Sequence, residues 1–303
     1  MAPASKSPYE ILLYYKYVTI RNPEACARAQ RELCERLGLT GRIIIAHEGI
    51  NGTVEGTREA TQAYIDEMTS KCPFRTIHWK RSEGTGNAFP RLSVRVRPEI
   101  VSLHLPRRSD VDPRTTTGTR LSPDELRAWY ARGDDFVVID MRNDYEHKVG
   151  KFAGSICPPM KNFRDLPNVL PALKPYARRR VVTVCTGGVR CEKASGYLKK
   201  KGFRDVYQLD GGIVSYMERY PGHDFEGALY VFDGRTTMAF DPKKGKRTII
   251  GSCESCGTQT ERYHDCANPS CLVQMLVCTA CAERTADHTC SSKCARARSR
   301  ALA

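Results

Sequence analysis

The stretch Val181-Val-Thr-Val-Cys-Thr-Gly-Gly-Val-Arg-Cys-Glu-Lys-Ala-Ser195 decides the fold of the middle of this chain. Its first four residues read as a buried strand, a short apolar run bounded by turn residues. Gly187 and Gly188 let the backbone curl without a Cβ clash. Residues 192–201 then read as a helix. A strand that passes through a glycine turn into a helix is half of a parallel α/β unit. The same alternation surrounds it. Ser122-Pro-Asp-Glu125 supplies an N-cap, a first-turn proline and a capping-box glutamate for a helix ending at Arg132. Residues 136–140 and 206–209 read as further short strands, so 120–222 is expected to be a parallel α/β domain.

This arrangement sets Cys185 before several backbone N–H groups and the positive end of a helix dipole. Both lower a thiol pKa, and Arg190 adds a fixed positive charge. Cys185 and Arg190 are therefore the candidate catalytic pair. Thr186, Gly187, Gly188 and Val189 complete the loop between them. Cys191 either resolves an oxidised Cys185 through a disulfide or packs in the first helical turn. A loop that holds the two sulfurs apart favours packing. Asp140 and Arg142 stand at the carboxyl end of a strand, where open α/β sheets place their ligand sites.

Working outward, residues 1–105 carry strands at 11–20, 41–46, 52–56, 74–80 and 89–96, with helices at 23–37 and 58–70. Their β-α-β-β-α-β order is the ferredoxin-like, or acylphosphatase-like, plan. Asn51-Gly52 is a hairpin-turn signal. His47, Glu48 and Asn51 beside it are candidates for contact with a substrate base or with the neighbouring domain. Arg91, Arg95 and Arg97 alternate with Leu92, Val94 and Val96. Such a row of arginines tracks a phosphate backbone or forms a solvated sheet face. Residues 106–119 read as a linker rich in Pro, Arg and Thr.

The remainder, 223–303, opens with a hairpin pattern over 227–240 and then becomes cysteine-rich. Cys253 and Cys256, Cys266 and Cys271, Cys278 and Cys281, and Cys290 and Cys294 form four pairs. Tight spacings of this kind aim two sulfurs at one tetrahedral ion. Eight thiolates fit two structural zinc sites, paired sequentially or interleaved, with an iron–sulfur cluster as the alternative. A site saturated by four thiolates leaves no open position, so the zinc would serve folding.

Lys and Arg number 48 against 34 Asp and Glu, a net charge of +14. The tail from 223 holds 11 basic and 9 acidic side chains, so the excess lies on the first two domains. It favours a polyanionic partner such as nucleic acid. No apolar run approaches the roughly 18 residues of a membrane span. Residues 1–10 lack a signal core, so the reading is a soluble, cytoplasmic protein with no membrane partner.

Residues 140–146 (DMRNDYE), 150–158 (GKFAGSICP), 185–195 (CTGGVRCEKAS) and 206–213 (VYQLDGGI) resemble the rhodanese superfamily. Rhodaneses carry sulfur as a persulfide on the loop cysteine. Related phosphatases separate Cys and Arg by five residues. Here four intervene, which argues against phosphate-ester hydrolysis. The resemblance implies that Arg142 and Glu146 brace the cysteine loop. With 46–53 (AHEGINGT), 89–103 (FPRLSVRVRPEIVSL) and 225–235 (FEGALYVFDGR) added, the chain resembles the bacterial rhodanese-related tRNA uridine hydroxylase family along nearly its whole length. That resemblance implies oxygen-dependent conversion of the wobble uridine, position 34, to 5-hydroxyuridine at an essential cysteine matching Cys185. It implies the tRNA anticodon loop as partner and molecular oxygen as co-substrate, with the reductant unspecified. A sulfurtransferase using a Cys185 persulfide and a non-catalytic RNA- or protein-binding module are the rival readings.

Overall fold

The computed structural model describes residues 7–71, 73–106, 110–240, 248–271, 273–285 and 287–302. Strands β1 (Tyr9–Tyr17), β2 (Thr40–Ala46), β3 (Gly49–Thr57), β4 (Lys80–Glu83) and β5 (Leu92–Val96) form one sheet in the order β4-β1-β3-β2-β5. Helices α1 (Pro23–Arg36) and α2 (Arg58–Ser70) bury Leu33, Cys34, Tyr64 and Met68 against Leu12, Tyr14, Ile43 and Val54 of the sheet. This is the ferredoxin-like order, with β5 added in parallel beside β2. The strand expected over 74–80 begins only at Lys80, where β4 starts. Phe74 and Ile77 lie in successive turns, closed by Phe74 N–H to Lys71 O (2.8 Å) and Ile77 N–H to Phe74 O (3.1 Å). Both side chains are buried at turn spacing, so an apolar run that looks extended is a plug in the helix-side core.

The opposite face of this sheet is not covered by α1 or α2. In β1, Leu12 and Tyr14 point to the helices, so Leu13 and Tyr15 point the other way. Cross-strand partners share a face. Leu13 lies opposite Thr53 and Lys80, and Tyr15 opposite Asn51. Thr53 and Asn51 lie opposite Arg42 and Ile44, and Ile44 opposite Arg95. One helix-free face therefore presents Leu13, Tyr15, Arg42, Asn51, Lys80 and Arg95.

A second sheet is parallel, in the order β6 (Thr119–Leu121), β10 (Asp205–Leu209), β9 (Arg180–Val184) and β7 (Val137–Asp140). It carries α3 (Pro123–Arg132), α4 (Leu166–Leu173), α5 (Val189–Lys200) and α6 (Gly212–Arg219). The capping box of α3 is complete: Ser122 Oγ accepts from Glu125 N–H (3.2 Å) and Glu125 Oε2 from Ser122 N–H (2.8 Å). The described part of the stretch read as a linker is docked rather than loose; residues 107–109 lie outside the described residues. Val111 is buried in the core, Gly118 N–H donates to Ser195 Oγ (2.7 Å), and Thr119 opens β6.

Beyond Tyr220, β11 (Phe225–Gly227) pairs with β8 (Gly150–Phe152), and β12 (Leu229–Tyr230) with β13 (Thr237–Met238). The latter is the hairpin expected over 227–240. Its tip is tied to the first domain by Gly234 N–H to Ala88 O (2.8 Å), between β4 and β5, and by Arg235 to Ser82 Oγ of β4 (3.0 Å). The tail adds β14 (Tyr263–Asp265), β15 (Gln274–Leu276), α7 (Thr279–Arg284) and α8 (Ser292–Leu302). No helix among the described residues is long and apolar enough to cross a membrane.

The helix-free face of the first sheet sits on the start of α5. Tyr15 OH donates to Glu192 Oε1 (3.1 Å) and Tyr17 OH to Val189 O (3.2 Å). Lys193, 1% exposed, places Nζ 2.9 Å from Glu48 Oε2 and 3.1 Å from Glu99 Oε1. A buried cation held between two carboxylates is costly to break from one side. Lys193→Met is expected to lower stability by about 3 kcal/mol, because two partly buried carboxylates lose their counter-ion. Adding Glu48→Gln and Glu99→Gln should restore most of it. Denaturant melts of the single and triple variants check this; equal loss in both contradicts it.

Candidate active site

Strand β9 is central in its sheet, with Val181, Val182 and Val184 fully buried. The chain can leave it only at its carboxyl end. Gly188, at φ +97°, is the N-cap of α5, a conformation glycine adopts without strain. A Cβ on Gly187 would stand 2.9 Å from Leu13 Cδ2, and one on Gly188 would stand 3.0 Å from Tyr15 OH. A side chain at Gly187 would thus push on Leu13, and one at Gly188 would press on Tyr15 and be strained by the backbone. The amino end of α6 clamps the loop from below, with Ile213 N–H donating to Cys185 O (3.0 Å) and Val214 N–H to Thr186 O (3.1 Å).

Gly188 N–H donates to Cys185 Sγ at 3.2 Å. Burial opposes ionisation of this thiol. The hydrogen bond from the Cys191 thiol, the positive charge of Arg190 and the N–H groups of Cys191 and Arg190 outweigh it, and draw the pKa down to about 6. Burial and the neighbouring Cys185 push the Cys191 thiol well up. Cys191 therefore packs, fully buried, in the first turn of α5, as its helix position suggests, and the two thiols influence each other's ionisation.

Arg190 is held by Glu146 in a two-point pair, Nη1–Oε1 2.5 Å and Nη2–Oε2 2.8 Å, and Nη2 also reaches Thr186 Oγ1 (3.3 Å). Glu146 thus braces the loop through Arg190. Arg142 does something different. It is fully buried, paired with Asp140 (Nη2–Oδ2 2.7 Å), and donates to Gly150 O (2.7 Å) and Glu146 O (3.3 Å). Asp140 and Arg142 therefore fix the segment that carries Glu146, one step removed from the cysteine.

A cleft of about 460 Å³ lies between the first sheet and this loop, lined by Leu13, Arg42 and Asn51 on one side and by Thr186, Gly187 and Arg190 on the other. Such a volume suits a nucleoside-sized ligand. Cys185 itself has no solvent exposure. It is buried rather than at the cleft mouth, while its loop neighbours Thr186 and Gly187 line the cleft and Leu13 and Tyr15 approach the two loop glycines.

The remaining sequence-selected residues divide. Asn51 lines the cleft and donates to Ile100 O (3.1 Å). Glu48 is drawn away to Lys193, and His47 Nδ1 lies 3.0 Å from Ile20 O. Arg91, Arg95 and Arg97 are exposed, and Arg95 lies on the cleft-facing side of the sheet, at its β5 edge. Sequence reasoning missed Arg42, Lys80 and Phe232. The alternation of Arg42 with buried Ile43 and Ile45 is a signal that could have found the first. Lys80 is 4% exposed, with Nζ 5.2 Å from the Tyr15 ring centre. Burial pushes its ammonium down to about 8, against the pull of Cys185, Asp210 and Glu218.

The tail cysteines gather into two groups, Cys253, Cys256, Cys278 and Cys281, and Cys266, Cys271, Cys290 and Cys294. The pairing is interleaved. Sulfur separations are 3.6 Å for Cys256–Cys278 and Cys290–Cys294 and 3.7 Å for Cys271–Cys290. Four sulfurs placed about 2.3 Å from a tetrahedral ion would be roughly 3.8 Å apart, so each group could hold a metal ion.

Three family descriptions match in series: the UPF0176 acylphosphatase like domain over residues 9–100, the rhodanese-like domain over 122–219 and the rhodanase C-terminal region over 226–295. The tRNA uridine(34) hydroxylase of Cytophaga hutchinsonii is 44% identical over 286 residues, covering 94% of this chain and 89% of that one. That of Staphylococcus carnosus is 45% identical over 291 residues, covering 92% and 90%. With this identity sustained across all three regions, the chain is a member of the tRNA uridine(34) hydroxylase family.

Proposed function

We propose that this protein hydroxylates the wobble uridine of tRNA to 5-hydroxyuridine, with Cys185 as the nucleophile. The observation that carries this reading is an ionisable sulfur held by loop amides and Arg190 beside a nucleoside-sized cleft, in a chain of this family. The base enters by flipping out of the anticodon loop. Because Cys185 is fully buried, the packing over the loop must first open to bring the sulfur to the base. The thiolate then adds to C6 of the uracil, and the electron pair of the C5–C6 double bond moves toward C5 and O4. Loop amides and the Arg190 charge stabilise the resulting anion. C5 takes one atom of molecular oxygen. The other leaves as water, with two electrons from a reductant and two protons. Loss of the C5 proton expels Cys185 and restores the double bond.

Arg42, Arg91, Arg95 and Arg97 would carry the flanking phosphates, with His47 and Asn51 at the edge of the base site. Asp140, Arg142, Glu146 and Cys191 would keep the loop in shape. Zinc fits both cysteine groups. The four thiolates of each group would hold it and leave no open coordination position, so it would stabilise the tail rather than take part in the reaction. A tRNA substrate places the protein in the cytoplasm.

Incubation of purified protein with unmodified tRNA and a reductant in air should yield 5-hydroxyuridine at position 34 by nucleoside mass spectrometry. No product should form without oxygen. Cys185→Ser should reduce the product by about a thousandfold or more. Undiminished product in Cys185→Ser would remove the nucleophile from the mechanism. A persulfide on Cys185 with no RNA product would favour the sulfurtransferase reading instead.

Elemental analysis should find two zinc ions per chain in colourless protein. Chelation should open the region from 248 onward to protease while the cores around Tyr14 and Val182 stay protected. Brown protein containing iron and sulfide would contradict this assignment.

A further inference from the structure

One exposed aromatic at the cleft has no part in the addition of the thiolate to uracil. Among the described residues, the exposed large apolar side chains are Tyr9, Phe232 and Val273. Of these, Phe232 alone lines the cleft. It is 41% exposed, although it follows four successive buried residues, Ala228, Leu229, Tyr230 and Val231. An isolated exposed phenylalanine would ordinarily need no explanation. This one is held in place. Tyr230 meets it edge to face, with centroids 5.1 Å apart and planes at 83°. The turn after Phe232 is pinned, with Arg235 bound to Asp233 through Nε–Oδ1 (2.8 Å) and Nη2–Oδ2 (2.7 Å) and reaching across to Glu83 O (2.9 Å). Val231 N–H donates to Thr236 O (2.9 Å), closing the same turn.

The ring also touches the reactive loop. Arg190 Cζ lies 5.7 Å from its centroid, within the range of a cation–π contact. The guanidinium that acts on Cys185 therefore packs on Phe232 as well. Phe232 shares the cleft wall with Thr186, Gly187 and Arg190. A rigid aromatic surface left wet beside the loop is suited to a planar, uncharged base, because stacking needs only a π face and a fixed ring.

We propose that Phe232 is the stacking platform for the flipped uracil, setting its plane so that the C5–C6 edge meets the cysteine loop. The proposal rests on the tRNA hydroxylase reading and adds the residue that orients the base. Stacking acts only once the base has left the anticodon stack. Most tRNA affinity comes from phosphate contacts made elsewhere. Phe232 should therefore govern the rate with bound tRNA and leave the binding itself nearly unchanged.

The test is single-turnover 5-hydroxyuridine formation at saturating unmodified tRNA, for wild type, Phe232→Ala, Phe232→Leu, Phe232→Tyr and Phe232→Trp, with Kd for tRNA and Tm measured alongside. Phe232→Ala and Phe232→Leu should slow the reaction by about tenfold to a hundredfold. Their Kd should stay within about twofold of wild type, because the side chain makes no phosphate contact. Phe232→Tyr and Phe232→Trp should retain most of the rate. Because the side chain is exposed, Tm should hold in all four. Phe232→Leu at the wild-type rate would overturn the proposal, since leucine keeps the apolar volume and removes the π face. A loss confined to Kd would also overturn it, by making Phe232 a general RNA contact. Wild-type protein that forms no 5-hydroxyuridine under any reductant would instead remove the functional reading, and this proposal with it.

Discussion

A negative sulfur can be kept inside a protein only if something replaces the water it has lost. Here the replacement is built from the backbone. The turn from β9 into α5 aims the Gly188 N–H at Cys185 Sγ, the nearby N–H groups of Arg190 and Cys191 favour its charge, and the Arg190 guanidinium adds a full charge. Most of the middle domain can be read as support for that arrangement. Glu146 fixes Arg190, Asp140 and Arg142 fix the segment bearing Glu146, and α6 ties down the carbonyls of Cys185 and Thr186. None of these groups needs to touch a substrate for its loss to be felt at the sulfur.

The first domain supplies the other half of the site. Its sheet buries one face under two helices and lays the other across the cysteine loop, so β1 serves two cores at once. The contact is close enough that neither loop glycine has room for a methyl group without displacing Leu13 or Tyr15. Two buried or half-buried charged contacts at this interface centre on α5, the helix that begins at the loop. Glu192 receives Tyr15 and Arg120, and Lys193 sits between Glu48 and Glu99.

What could be read from the sequence was what is local in it. The Cys185 loop, its helix, the α3 capping box and the ferredoxin-like order all follow from spacings of a few residues. The apolar run over 74–80 misled because Phe74 and Ile77 are buried by a turn, where hydrophobicity alone carries no period. Period-two reading identified the arginine row of β5. It could not say that the same face continues through Ile44, Asn51 and Tyr15 into a cleft, because strand order is not encoded in any single strand. The cysteine pairs were visible and their interleaving was not, since bringing together pairs distant in sequence depends on how the tail folds back. Phe232 stands in plain sight within the stretch 225–235. Its exposure becomes meaningful only with Arg190 and the loop beside it.

The central claim is that Cys185 is ionised at neutral pH. Thiolate absorbance at 240 nm, taken as the difference between wild type and Cys185→Ser across pH 4.5 to 9.5, measures this directly. The account predicts a single-sulfur step with its midpoint near pH 6, present at pH 7 and lost on acidification, because the folded pKa lies below the ordinary thiol value. A midpoint at or above the ordinary value of about 8.5 would mean that the loop does not hold the charge, and would contradict the account.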